Sequence, residues 1–442
     1  MRTTFTIISL TLAFSAFSQI GFEGSTKAVI AIDAEASTGL DKIYVIDDVN
    51  GIKANYTFQN GSNVKWYRYS NLGGAYAEEI TESSMSGNTS TITLQPSDMG
   101  YMIEDGSRRI CFWVVNYSSH RLDLDALSVS PESQCDRTVL DFAGNASRIL
   151  YYTINGAPKE LSRELTLSYR TLGDFDREAL QYTEKTVVET LSYADSHISC
   201  QAPLCNTEFT LSGDRFLRSW GEEQSVSSQL YNTPAVSAET SASQTVEDYD
   251  NQQKPATDGL GGSAPCEITF TAVTSDAVVF REWQFSHTPD FEDVYERYNT
   301  DVLTHVFDEN GTTYVRFYCA NDAGNCSYEG EVYTVDIGES RLECPNAFSP
   351  ANQDGVNDLW KVSYQSIVSF ECHIFNRWGK KLATLNHPSQ GWDGKIGGKF
   401  VPSGVYYYVI KARGADGKKY NLSGDINIIN SRANPRVSTD VE

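Results

Sequence analysis

The chain has 442 residues, too many for one hydrophobic core and enough for three or four domains of ordinary size. Its formal net charge is −23, with −27 on residues 1–340, whereas residues 341–432 hold 12 Lys/Arg against 7 Asp/Glu. An acidic body lacks the basic face that a phosphate backbone needs, which excludes nucleic acid as a partner. The basic end could dock on an anionic partner or simply be a solvated surface. Aromatic residues make up 12% of the chain, with 25 Tyr and 32 Gly, the usage of an all-β protein.

Residues 1–18 read as a signal peptide. Arg2 is their only charge, an apolar run follows over residues 7–17, and Ala16 and Ser18 stand before a cut at Gln19. The run is too short to span a bilayer and no later stretch is long enough, so the reading contains no transmembrane span. Residues 42–49, 64–70, 89–94 and 109–116 alternate or run apolar as strands, giving a first sandwich over 23–130. Asp98-Met99-Gly100-Tyr101 resembles the turn that a tyrosine closes in immunoglobulin-like sandwiches, although its spacing to Cys111 is long for that pattern.

A middle sandwich is expected over 135–203, with strands at 148–154 and 164–169; residues 174–191 fit a long strand or a partly helical segment. Residues 205–338 form a third expected module with a long loop at 232–265, and residues 205–209 and 266–270 both read as first strands. Residues 65–70 are similar to 282–286, and residues 109–116 (RICFWVVN) to 314–321 (YVRFYCAN). This weak repeat, with a Trp strand first and an aromatic strand later, resembles the PKD-like and immunoglobulin-like modules of bacterial surface proteins.

The last part of the chain is the most specific. Residues 345–358 read PNAFSPANQDGVND, 374–379 read IFNRWG, 392–394 read WDG, and 402–408 read PSGVYYY. The order and spacing resemble the gliding-motility-associated C-terminal domain, the type B sorting domain of type IX secretion, over residues 342–431. The matching positions are Pro345, Asn346, Phe348, Asp354, Gly355, Asn357, Asp358, Asn376, Arg377, Trp378, Gly379, Trp392, Asp393, Gly394, Gly404 and Tyr406. The resemblance implies partners among the type IX translocon and its shuttle components. It also implies export across both membranes of a bacterium, to the cell surface, outer membrane or medium. Two departures stand out: Ala351 is inserted and Gln353 replaces a Gly in the turn, and a tail at 433–442 extends beyond the last expected strand. The fold class is then all-β: tandem immunoglobulin-like or PKD-like antiparallel sandwiches ending in a small β-sandwich. Within that domain Trp378 follows an apolar strand at a tight turn and is expected to cap the core.

All nine Cys follow residue 100, and in an exported protein they read first as disulfides. Cys344 with Cys372 would close a loop of about 28 residues, worth about 3 kcal/mol in the loop-entropy account. Cys266 with Cys326 or Cys319, and Cys111 with Cys135, are further expected pairs; with no CxxC pair, zinc is disfavoured. No G-x-S-x-G, H-E-x-x-H or P-loop motif is present, the six His are scattered, and the acidic groups Glu78/Glu79/Glu82 and Asp290/Glu292/Asp293 fit solvated loops. The expectation is a protein that is not an enzyme. Calcium is the one cofactor weighed, on Asn352, Asp354, Asn357 and Asp358, against the reading that these side chains cap their own turn.

Three functions fit. One is an exported interaction protein whose sandwiches hold an unknown surface ligand, protein or glycan. A second is an accessory or signalling component of the secretion apparatus at the outer membrane. The third is a binding protein associated with a surface hydrolase.

Overall fold

The alternating segments become antiparallel strands almost throughout the computed structural model, which describes residues 20–58, 63–253 and 259–429. The expected signal peptide and the tail at 433–442 lie outside the described residues. The chain divides into two units: residues up to 173 together with 183–233, and residues 174–182 together with 234 onward.

In the first unit, a four-stranded sheet (Ile20–Glu23, Lys53–Thr57, Thr89–Thr93, Ser84–Ser86) faces a six-stranded one. Their core holds Tyr56, Trp66, Tyr101 and Phe112, and the Trp66 indole donates to Ser90 Oγ across it at 3.0 Å. Tyr101 Oη accepts from the Gln95 amide at 2.9 Å, a tyrosine corner closing Met99–Asp105. That strand lies between the Trp66 strand and Arg108–Asn116. In the third module, Gly311–Ala320 lies directly beside the Trp283 strand. The two matched segments of the weak repeat are therefore one strand out of step: Met99–Asp105, not Arg108–Asn116, occupies the place of Gly311–Ala320. Cys111 belongs to the strand after the corner, which explains the long spacing.

Arg108–Asn116 is apolar on both faces because both are covered. Phe112 and Val114 face the first core; Cys111, Trp113 and Val115 face a second core shared with the next sandwich. That sandwich comprises Asp123–Val129, Arg137–Asn145 and His197–Gln201 on one side. On the other side, Gln181–Leu191, Leu165–Asp176, Thr210–Gly213 and Gln224–Ser227 form a four-stranded sheet. The expected boundary at 203–205 is corrected, because Thr210–Gly213 pairs with residues 166–168 and completes this sandwich. Residues 205–209 are no strand; Thr207 bridges Tyr231 and Asn206 Oδ1 accepts from the Thr233 amide, which holds a turn there. The undecided stretch 174–191 holds the end of one hairpin arm, the turn at residues 177–180, where Asp176 caps the amides of Glu178 and Ala179, and the second arm Gln181–Leu191.

A buried ionic network joins the two sandwiches of this unit. Arg163 and Asp214 are both 0% exposed and pair at 2.8 Å. The other guanidinium donors reach the carbonyls of Ser147 and His120, and the Tyr117 hydroxyl binds the Asp214 carboxylate. Asp214 Oδ1 also caps the helix Arg215–Trp220 through the amides of Phe216 and Leu217, and Gly221 ends it at φ 76°.

In the second unit, the third sandwich packs Ala238–Gln244, Cys266–Thr274 and Val302–Phe307 against a sheet ordered Leu260–Gly262, Tyr333–Ile337, Gly311–Ala320, Phe280–Ser286 and Val294–Tyr298. Trp283 is fully buried between them, 5.3 Å from Phe270 and 5.0 Å from Phe317. The segment 232–265 is not wholly a loop. Ala238–Gln244 pairs with Cys266–Thr274 over seven residues, and Leu260–Gly262 pairs in parallel with Tyr333–Ile337. Its polar Ser/Thr/Ala sequence suits an edge strand with one wet face, which hydrophobic patterning alone misses.

The expected disulfides are not formed. Cys344, Cys372, Cys266, Cys319 and Cys111 are thiols, whereas Cys135 and Cys326 are disulfide-bonded. Each thiol has a role in packing instead. Cys372 is inside the last domain's core, where burial pushes its pKa up to about 12. Cys344 and Tyr408 pack against the last domain's core, Cys266 reaches the Gly261 carbonyl, and Cys111 lies in the core shared by the first two sandwiches.

Candidate functional site

The C-terminal domain is built on a five-stranded sheet ordered Ala347–Phe348, Lys419–Ile428, Gly404–Gly414, Ile367–Phe375 and Lys381–Leu385. Its core has its own aromatic cap. Trp360 is fully buried and donates its indole N–H to the Pro345 carbonyl at 2.7 Å, and it exchanges backbone hydrogen bonds with Trp392. Trp392 contacts Phe348 and Tyr406, and Tyr406 Oη donates to the Pro402 carbonyl. The Asn346 carbonyl accepts from the backbone and the side chain of Asn427. Gly394 adopts φ 68° where a Cβ would stand 2.8 Å from Pro350 and 3.3 Å from Phe348, and Asp393 Oδ1 caps the Lys395 amide beside it. Gly404, at φ 150°, opens the central strand. Most of the motif positions thus build the domain.

Trp378 differs from the expected core cap: it is 76% exposed. Asn376 Oδ1 accepts from the amides of Trp378 and Lys380, and Gly379 at φ 80° closes the turn. The turn is therefore fixed by Asn376 and Gly379 without Trp378, whose ring lies 4.4 Å from the Arg377 guanidinium. The core position is held by Trp360, which stands outside the conspicuous turns and so carries no turn signal in the sequence.

The turn continues directly from a broad outer sheet face. Phe375 stands opposite Tyr407, His373 opposite Val409, Glu371 opposite Lys411 and Ser369 opposite Arg413, with Lys419 next to Arg413. Val405, Tyr407 and Val409 are exposed, so this central strand buries one face. The face is apolar at the Trp378 end and basic at the Lys411, Arg413 and Lys419 end. An exposed aromatic and aliphatic row of this kind marks an interaction surface.

The loop at 350–358 largely satisfies itself. Asn352 Nδ2 donates to Asp354, Asp354 Oδ1 caps the Val356 amide and Asp358 Oδ2 caps the Gly355 amide, each at 2.9 Å. Gln353, Gly355 and Asn357 all have positive φ, so the Gln that replaces Gly occupies a left-handed position. Within this loop, Asn352 Oδ1 and Asp358 Oδ1 are buried without a hydrogen-bond partner. Two such oxygens fall short of the six to eight that calcium takes, so the turn-capping reading fits the loop better.

The domain is clasped by the insert of the third sandwich, inside the same unit. Asn251 Nδ2 donates to the carbonyls of Val362 and Pro388, the Gln253 amide donates to the Tyr364 carbonyl, and Lys361 pairs with Asp250 at 2.8 Å. Ser340 Oγ donates to Asp416, and the Ser366 amide donates to Ser263 Oγ. These bonds leave the outer face free. The acidic groups noted in the sequence are occupied on surfaces: Glu78 pairs with Arg68, Glu79 with Lys65, and Asp290 caps its own turn.

Residues 342–428 match the CHU_C type IX secretion signal domain, and residues 128–228 match the Fn3_FA fibronectin type III domain. The last domain is a type IX secretion signal domain, and upstream of it stand immunoglobulin-like sandwiches, one of them of fibronectin type III kind. Such a signal domain supports export to the cell surface or the extracellular space and interaction with the secretion machinery. No curated protein matches the chain. Among solved structures, a tetra-tandem repeat from the extending region of a large adhesion protein is 10% identical over 87% of this chain and 97% of its own, with a TM-score of 0.22. Three N-terminal domains of the bacteriophage RB49 Hoc capsid protein are 9% identical over 70% of this chain and 99% of theirs, at 0.21. Latent PorU from Porphyromonas gingivalis is 10% identical over 74% of this chain and 36% of its own, at 0.15.

Proposed function

We propose that the chain is a non-enzymatic interaction protein, delivered to the cell surface or medium by its C-terminal domain, with the upstream sandwiches holding the ligand. The observation that carries the addressing role is the exposed Trp378 at the apolar end of the outer sheet face. A large ring held in water on a turn that does not need it forgoes the burial that elsewhere stabilises the domain. That cost is recovered only when a partner covers it. The apolar and basic face therefore meets the translocon or its shuttle component, with Trp378, Arg377, Tyr407 and Val409 as its centre. Such aromatic and Arg residues dominate the energetics of interfaces.

The test is Trp378→Ala. The variant keeps its fold, with a melting temperature close to that of the parent, because no core contact is lost. Its surface or extracellular fraction falls at least several-fold, with precursor accumulating in the periplasm. Full export of the folded variant would remove Trp378 from the recognition surface.

A further inference from the structure

The third sandwich ends on one side in two edge strands, Val294–Tyr298 from one sheet and Val302–Phe307 from the other. Between them opens a cavity of about 500 Å³. Its walls are aromatic: the rings of His287 and Tyr295 stack at 4.3 Å and 12°, and His305 lies 4.7 Å from Phe307. Tyr295 is 46% exposed. Its rim carries Glu296, Asp308 and Glu309, and no Lys or Arg lines it. Among the described residues none of these three carboxylates makes an ion pair, although Glu296 accepts a hydrogen bond from Tyr298. Burial lowers the pKa of His305, against the raising influence of Glu296 and Asp308.

We propose that this cavity is a binding site for an organic cation, an ammonium or guanidinium group. Stacked π faces attract a cation through their quadrupole, and three carboxylates with no Lys or Arg among the lining residues supply the matching charge. A saccharide would use the same ring faces, but it gains little from three unpaired negative charges. The site gives a ligand class to the interaction role proposed above and does not depend on export.

Calorimetric titration of the purified full chain tests it, with choline, Nα-acetyl-arginine amide, a lysine-rich peptide and methyl glucoside as probes. At least one cation binds, with Kd on the order of 1 mM or tighter. Tyr295→Ala and Glu296→Gln each weaken binding about tenfold, and Glu309→Gln, at an exposed position, weakens it without touching the fold. Binding to choline or the amide identifies a free cation as sufficient. Binding confined to the peptide identifies a protein side chain as the source, and both results support the same chemistry. The proposal is overturned by no heat with any cation, by equal binding of methyl glucoside, or by cation binding that both Tyr295→Ala and Glu296→Gln leave unchanged. Because the assay runs in solution, a failure here is separate from a failure of export.

Discussion

Removal of residues 338–442 is expected to trap the protein in the periplasm and to reduce the extracellular or surface fraction to background. The deletion takes out an entire folded module, with its own core around Trp360, Trp392, Cys372 and Ile410 and the whole outer face that bears Trp378. It also strips the cover from Asn251, Gln253 and Asp250, whose partners Val362, Pro388, Tyr364 and Lys361 disappear with it. The third sandwich keeps its own core around Trp283 and Phe270 and is expected to stay folded, with a lower melting temperature because Val368 and Ala415 of the removed segment pack against that core. Fractionation and immunoblotting read the result, and thermal melting of the truncated chain separates lost address from lost fold.

The second large effect is on stability. Asp214→Ala leaves the Arg163 guanidinium fully buried with no counter-charge and removes the cap of the helix Arg215–Trp220. Breaking a buried pair by deleting one partner costs about 3–5 kcal/mol, and losing an N-cap about 1 kcal/mol more. A domain has only about 5–15 kcal/mol in hand. The first unit should therefore melt well below the parent in chemical denaturation, with the third sandwich and the signal domain little changed. Asp214→Asn retains the cap and part of the hydrogen bonding and should fall between the two. An Asp214→Ala protein of parental stability would mean that the Arg163 charge finds water or another partner.

The sequence reveals strands where the burial pattern is local. Residues 109–116 read as a strand from their apolar run, and the shared core that covers their second face comes from residues far along the chain. The tyrosine corner is legible in Asp98-Met99-Gly100-Tyr101, but the likeness of residues 109–116 to 314–321 points one strand too far. The boundary near 203 failed for a topological reason: residues 210–213 return to pair with 166–168, and nothing near Cys205 announces a partner forty residues earlier. Likewise the Ser/Thr-rich stretch at 238–244 looks like a linker because an edge strand needs few apolar residues. In the signal domain the motif residues were legible as a set, but not their division of labour. Trp360, Trp392 and Trp378 are equally apolar in sequence, and only the turn made by Asn376 and Gly379 puts Trp378 in water. Cysteine spacing shows which pairs could close a loop but not burial, and Cys372 is committed to a core against which Cys344 packs.

The central claim is that the C-terminal domain, carried on the sandwich that clasps it, is the address for export. Because the insert at 247–253 clasps it, the part to transplant is residues 234–442 rather than the signal domain alone. The measurement is the location of a fluorescent passenger placed between a signal peptide and residues 234–442, in a cell with a working type IX pathway. The account predicts surface or extracellular fluorescence, lost when residues 338–442 are removed from the fusion. A folded fusion that stays in the periplasm, or one exported equally well without residues 338–442, would contradict it.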